Sequence, residues 1–367
     1  MEWYQLTNID QIDSPAIVMY KDRVAENIRL LTTMIDDVQR LRPHVKTNKT
    51  AEVVKMMQDA GIQRFKCATI AEAEMLGMLA AADVLLAYQP VGPKVVRLLE
   101  LVQKYPGTAF SCLVDNRTTA EAISKVFAAQ SRRLPVYIDL NVGMNRTGIK
   151  PGKDALALYQ YLHTLPGITP AGLHAYDGHL HETDMAIRKQ HCDEAYAPVA
   201  ELSRAILDSG LPQPQIIAGG SPTFPIHAQR AGIQCSPGTF VFWDWGYANN
   251  LPEQPFNWAA VVITRVISVI DEHHLCLDLG HKSIAAESPQ PRVYFLNVPA
   301  AQPVSQSEEH LVVEVTDASQ YPVGTVFYGV PLHICPTVAL YERAYVAENN
   351  SCIGTWRIVA RDRQLSI

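Results

Sequence analysis

Between residues 41 and 240 the chain alternates short β-branched runs with amphipathic segments, and it does so eight times. LRPHVK (41–46) precedes a helical pattern that begins at Ala51. RFKCAT (64–69) precedes IAEAEMLG, and DVLLAY (83–88) precedes KVVRLLELVQKY. AFSCLVD (109–115), LPVYIDLN (134–141) and ITPAGLHAY (168–176) are each followed by a long helical pattern, the last from Asp184 to Ser209. QIIAGGS (215–221) and GIQCSPGTF (232–240) complete the series. Strands that alternate with helices indicate parallel βα units. Eight such units close into a (β/α)8 barrel of the TIM type. A doubly wound open sheet is the competing arrangement.

After about Asn250 the helical period disappears. WAAVVITRVISVI, HHLCLDLG, PRVYFLN, HLVVEVTD, GTVFYGVPLHICP and CIGTWRIVAR all read as strands, which predicts a second, all-β domain. SPAIVMY (14–20) is a ninth strand candidate, one too many for the barrel. The expected division is a barrel over 22–247, with 1–21 and 248–367 forming the β domain.

Composition narrows the partners. With 31 Lys and Arg against 37 Asp and Glu, the net charge is −6, which argues against nucleic acid or an anionic membrane as the main partner. No uninterrupted apolar run is long enough to span a bilayer. The N-terminus has no basic region followed by an apolar run. Seven cysteines without paired spacing read as reduced thiols, so a cytoplasmic location is expected.

Barrel chemistry sits at the C-terminal strand ends. Here those ends carry His44 and Lys46, Thr69, Gln89, Asp115, Asn141 with Arg146, and then Tyr176, Asp177 and His179. The seventh and eighth end in Gly219-Gly220-Ser221 and Gly238-Thr239. Glycine lets backbone N–H groups approach an anion, and a hydroxyl adds a donor, so both ends are candidates for phosphate binding. Lys46 follows apolar Val45 at the end of the first strand. A lysine partly desolvated in a barrel mouth can form a Schiff base. His333 and Cys335 stand two apart in a strand-like run, so both would project from one face. Imidazole plus thiolate suits zinc, and two protein ligands leave open positions, as in catalytic sites. The competing reading is a buried Cys beside a satisfied His. His163, His191 and His227 read as surface or helix histidines.

A lysine and a phosphate cup in one barrel mouth suggest pyridoxal phosphate. RPHVKTNK (42–49), VGMNRTGI (142–149), GLHAYDGH (172–179), GGSPT (219–223), SPGTFVF (236–242) and PLHICPTV (331–338) stand in one order along the chain. In these segments the sequence resembles the D-threonine aldolase / D-serine dehydratase-like family of fold-type III, alanine-racemase-like pyridoxal-phosphate enzymes. The resemblance implies an alanine-racemase-like barrel, a C-terminal β domain that takes in strand 14–20, and a homodimer. It implies Lys46 as the aldimine lysine, Arg146 at the cofactor's phenolic oxygen and Tyr176 at its pyridine nitrogen. Gly220, Ser221, Thr223, Gly238 and Thr239 would surround the phosphate. His333 and Cys335 would bind a divalent metal, zinc first, with manganese or magnesium as alternatives.

A pyridine nitrogen facing a tyrosine is a weaker electron sink than one protonated by a carboxylate. A metal on a β-hydroxyl would compensate. The expected substrate is therefore a D-3-hydroxy-amino acid, the D configuration resting on the resemblance alone. Retro-aldol cleavage to glycine and an aldehyde is the first expectation, with His44, His179 and His181 as candidate bases for the hydroxyl. D-serine or D-threonine dehydration is the alternative, with Lys46 taking the α proton. A metal-free amino-acid racemase is a third reading. A non-catalytic pyridoxal-phosphate-binding protein is a fourth, opposed by the β domain.

Overall fold

The computed structural model describes residues 1–367. Its contacts divide the chain into two compact units: 1–30, 47–53 and 239–361 in one, and 31–46, 54–238 and 362–367 in the other. Both units draw on several parts of the chain, and their limits differ from the expected 22–247 barrel.

The barrel unit contains seven parallel strands in sequential order: β2 (Arg64–Cys67), β3 (Asp83–Leu86), β4 (Ala109–Val114), β5 (Leu134–Leu140), β6 (Ile168–Ala175), β7 (Gln215–Ala218) and β8 (Gln234–Cys235). The expected first strand, 41–46, is present as two isolated parallel bridges, Leu41 to Cys235 and His44 to Lys66. Arg42 N donates to Cys235 O at 2.8 Å, His44 N to Pro237 O at 3.0 Å and Val45 N to Lys66 O at 2.9 Å, so this segment closes the ring between β8 and β2. Pro43 interrupts it because proline has no N–H to give the ladder.

Helices α3 (Ile70–Met78), α4 (Pro93–Lys104), α5 (Arg117–Ala128), α6 (Lys153–Leu162), α7 (Met185–Asp208) and α8 (Phe224–Ala228) follow the strands in turn. Their starts are written locally. Thr69, Asn116 and Asp184 each accept a backbone N–H of the first turn, satisfying donors that a helix leaves unpaired. Inside the barrel, Leu85, Leu113, Tyr137 and Ile217 pack as one cluster. Arg42, fully buried, forks onto Asp83 at 2.7 and 2.6 Å and donates to Gln234 at 2.8 Å. A buried cation is tolerable only with such pairing.

The β unit holds β1 (Ala16–Tyr20), β9 (Ala260–Val269), β10 (His274–Leu277), β11 (Val293–Phe295), β12 (Gln302–Gln306), β13 (Leu311–Glu314), β14 (Val326–Pro331), β15 (Arg343–Glu348) and β16 (Ser351–Arg357). Their order is β12-β13-β10-β9-β1-β15-β16, with β14 also on β9 and β11 on β14. The surplus strand β1 lies here, antiparallel to β9 and parallel to β15. Two short helices, α9 (Trp245–Asn250) and α10 (Ile334–Ala339), interrupt the strand pattern, while α1 (Lys21–Thr33) and α2 (Ala51–Asp59) run where the chain passes between units.

Candidate active site

Strand alternation sets which side chains enter the barrel. Asp139 lies two residues beyond the interior Tyr137 on β5 and pairs in register with His174 on β6. His174 Nδ1 is 2.8 Å from Asp139 Oδ1, and both residues are 4% exposed. Asp139 also accepts hydrogen bonds from Gln89 Nε2 and Thr147 Oγ1, each at 2.8 Å. Burial raises the Asp139 pKa, but these partners outweigh it and hold the carboxyl below its usual range. Burial, together with Lys66, pushes His174 down, so its imidazole stays neutral. His174 Nε2 is buried with no hydrogen-bond partner. Lys66 Nζ and the Arg146 guanidinium lie 5.3 and 5.2 Å from the centre of the Tyr176 ring.

A second network stands behind the glycine turn. Asp177 accepts from Thr223 Oγ1 and lies on His227 Nε2, each at 2.8 Å. Here too the partners outweigh burial, and the carboxyl is held low. Asp177, Cys192 and His227 are all buried, and their donor atoms lie within 4.8 Å of one another, a set that could hold a metal ion. The hydrogen bonds describe a relay instead. Arg230 donates to His227 Nδ1, so that nitrogen accepts and the ring proton sits on Nε2, facing Asp177. Burial pushes the Cys192 thiol up to about 12, which keeps it protonated. His227 lies on helix α8, as one half of its expectation has it, but it is 2% exposed and central to this network, so the surface alternative is corrected.

The turn after β7 forms a cup. Gly219 has a φ of +82°, which glycine adopts without strain. Ser236 N donates to Gly219 O at 2.9 Å, and Gly238 N donates to Ser221 Oγ at 3.3 Å. Ser236 Oγ is buried without a partner. An orphaned hydroxyl beside glycine-rich backbone fits a phosphate group. Gly220 belongs to this cup, its α-carbon hydrogen facing the Tyr176 ring. Of the other expected residues, Thr223 gives its hydroxyl to Asp177 at 2.8 Å, and Thr239 follows Gly238 directly along the chain.

The three candidate histidines differ. His44 Nδ1 accepts from Lys46 N at 3.2 Å. His181 Nδ1 is 2.8 Å from the His179 carbonyl. His179 Nδ1 is buried with no partner. Gly143, at φ +124°, makes room for that ring, since a Cβ there would come within 2.5 Å of Nε2.

In the β unit, His333 and Cys335 come together, but not on a strand. Strand β14 ends at Pro331, His333 caps α10, and Cys335 lies in its first turn. Asp244 accepts the N–H of Ile334 at 3.1 Å and fixes this turn. The expected shared strand face is thus replaced by a helix start, because proline leaves β14 no donor with which to continue. His333 Nδ1 is 2.6 Å from Glu287 Oε1. Burial lowers the His333 pKa, yet bonds to Cys335 and Glu287 push it up to about 9. Cys335 Sγ is 3.1 Å from Thr47 Oγ1 and 3.6 Å from Thr239 Oγ1. With Nδ1 on a carboxylate, the ring is held in the way that a ligating histidine usually is.

Sequence comparison adds the family. The alanine racemase N-terminal domain matches residues 20–244, and a putative serine dehydratase domain matches 259–347. A D-threonine aldolase from Arthrobacter sp. is 28% identical, covering 96% of this chain and 93% of that protein. A D-threo-3-hydroxyaspartate dehydratase from Delftia sp. is 25% identical, covering 94% and 97%. The crystal structure of D-threonine aldolase from Filomicrobium marinum superimposes with a TM-score of 0.90 at 25% identity, covering 98% of both chains. The chain belongs to the alanine racemase N-terminal domain family, the pyridoxal-phosphate-dependent fold-type III group, and carries a putative serine dehydratase domain behind it.

Proposed function

We propose that this chain is a pyridoxal-phosphate- and divalent-metal-dependent lyase that cleaves D-3-hydroxy-amino acids of the D-threonine type to glycine and an aldehyde. One observation carries the metal half of the reading. His333 and Cys335 converge with Nδ1 held by Glu287, a donor set with positions left over, which a metal-free racemase does not need.

In this reading Lys46 would hold the cofactor through its aldehyde, the Ser221, Ser236 and Gly238 cup would hold its phosphate, Arg146 would face its phenolic oxygen and Tyr176 its ring nitrogen. When bound, the cofactor would supply an electron sink, and a metal held by His333 and Cys335 would make the substrate's β-oxygen more acidic. His179 takes the β-hydroxyl proton, because its Nδ1 alone among the three candidates has no partner in place. Loss of that proton lets the Cα–Cβ bond break and the aldehyde leave. Asp139 holds the His174 ring in place, while burial and Lys66 keep its imidazole neutral.

Dehydration is the second reading. It is favoured by the putative serine dehydratase domain and by the Delftia relative. Lys46 then takes the α proton and the β-hydroxyl departs. A homodimer in the cytoplasm belongs to the same proposal; all seven cysteines are free thiols, as a reducing compartment requires. No helix is long and apolar enough to cross a membrane.

Product analysis separates the readings. D-Threonine should yield glycine and acetaldehyde. 2-Oxobutyrate and ammonia would establish the dehydratase instead, and L-threonine turned over as fast as D-threonine would refute the stereochemical assignment.

A further inference from the structure

Lys66 is buried in the middle of a strand, 4% exposed, and the mechanism above gives it no task. Its neighbours across the sheet are His44 on one side and Leu85 on the other. Paired residues of parallel strands share a face, as do residues two apart on one strand. His44 and Lys66 therefore project to the face that carries interior Leu85, and Lys46 follows in the turn directly after His44, close enough for its charge to act on Lys66.

The charged groups facing Lys66 come from several elements. Lys46 comes from the closing segment, Arg146 from the loop after β5, Asp139 from β5 and Asp177 from the end of β6. His174 on β6 and the ring of Tyr176 complete the surroundings. Both carboxylates already hold other partners, Asp139 with His174, Thr147 and Gln89, and Asp177 with Thr223 and His227. Burial, followed by repulsion from Lys46, lowers the Lys66 pKa to about 7, while Asp139 and Asp177 pull the other way. His174 is a poorer base in the same space, because burial and Lys66 itself keep it below its ordinary value.

We propose that Lys66 accepts the proton that Lys46 must shed before its nitrogen can add to an aldehyde, so that two lysines, rather than one, capture pyridoxal phosphate. This rests on the reading of Lys46 given above. The proton passes from the Lys46 ammonium to the Lys66 amine. The freed Lys46 lone pair bonds the aldehyde carbon, and the aldehyde oxygen leaves as water, taking its last proton from Lys66. Lys66 ends neutral, and one water is released for each bond formed. Below the Lys66 pKa the acceptor is already protonated, so capture slows as pH falls and quickens as pH rises through about 7.

The test mixes cofactor-free protein with pyridoxal phosphate between pH 6 and 9. It follows the visible absorbance of the bound cofactor and the borohydride-fixed adduct on the Lys46 peptide by mass spectrometry. Lys66→Met should slow capture at pH 7 by at least about 10-fold and move the pH midpoint upward. Lys66→Arg keeps a cation but takes no proton, and should stay as slow. Lys66→His can accept a proton, and should recover part of the rate with a lower midpoint. If Lys66→Met does not fold, the Arg and His variants decide the matter between them. Wild-type rates in either the Met or the Arg variant would overturn the proposal. Failure of the wild-type protein itself to form an adduct on Lys46 would instead overturn the reading of Lys46.

Discussion

In the barrel unit, Lys66, Asp139 and His174 are each 4% exposed, whereas in the β unit the side chains of His333 and Glu287 are each 48% exposed. The barrel groups are fixed by many partners. Asp139 alone has three side-chain hydrogen bonds, and in a low-dielectric interior such networks set which groups carry charge. The His333–Cys335 pair has one orienting carboxylate and neighbouring hydroxyls. The contrast matches the two tasks assigned to them. A covalently held cofactor benefits from preorganised, dry surroundings, while a catalytic metal needs ligand positions that substrate can reach.

The largest effect should come from the barrel. Lys46→Ala should remove the borohydride-fixed adduct entirely and lower turnover by at least about 10³-fold, with metal content unchanged by elemental analysis. An adduct that persists at another residue would break the comparison at its first term.

Most of this contrast was partly legible in the chain itself. The switch from βα alternation to strands without helical period marked both fold types, because those periods follow from backbone geometry alone. Lys46 and the glycine turns stand at expected strand ends, and the His-x-Cys pair stands out within a strand-like run. Lys66 was not, because it lies inside RFKCAT, and attention to strand ends passes over a mid-strand lysine. Period two along β2 was the available signal, since it places Lys66 opposite buried Phe65 and Cys67. His227 was hidden in a helix of five residues, too short to show a periodic face. Glu287 stands 46 residues before His333 in an irregular segment, and only tertiary folding pairs them.

Smaller effects are expected in the β unit, and they should be graded. Cys335→Ser should weaken metal binding strongly, because a hydroxyl is a far poorer zinc ligand than a thiolate. Glu287→Gln removes the charge that orients His333 and should lower metal affinity by about 10–100-fold, read by competition with a chromogenic chelator. Neither variant should alter the visible spectrum of the bound cofactor. A spectral change as large as that of Lys46→Ala would show that the two sets of groups do not divide the work as described.

Chelation of the wild-type holoenzyme tests that division most directly. Exhaustive removal of metal should abolish cleavage of D-threonine, leave the cofactor absorbance and the Lys46 adduct intact, and be reversed by added zinc. Full activity in protein shown by elemental analysis to hold no metal would contradict the account.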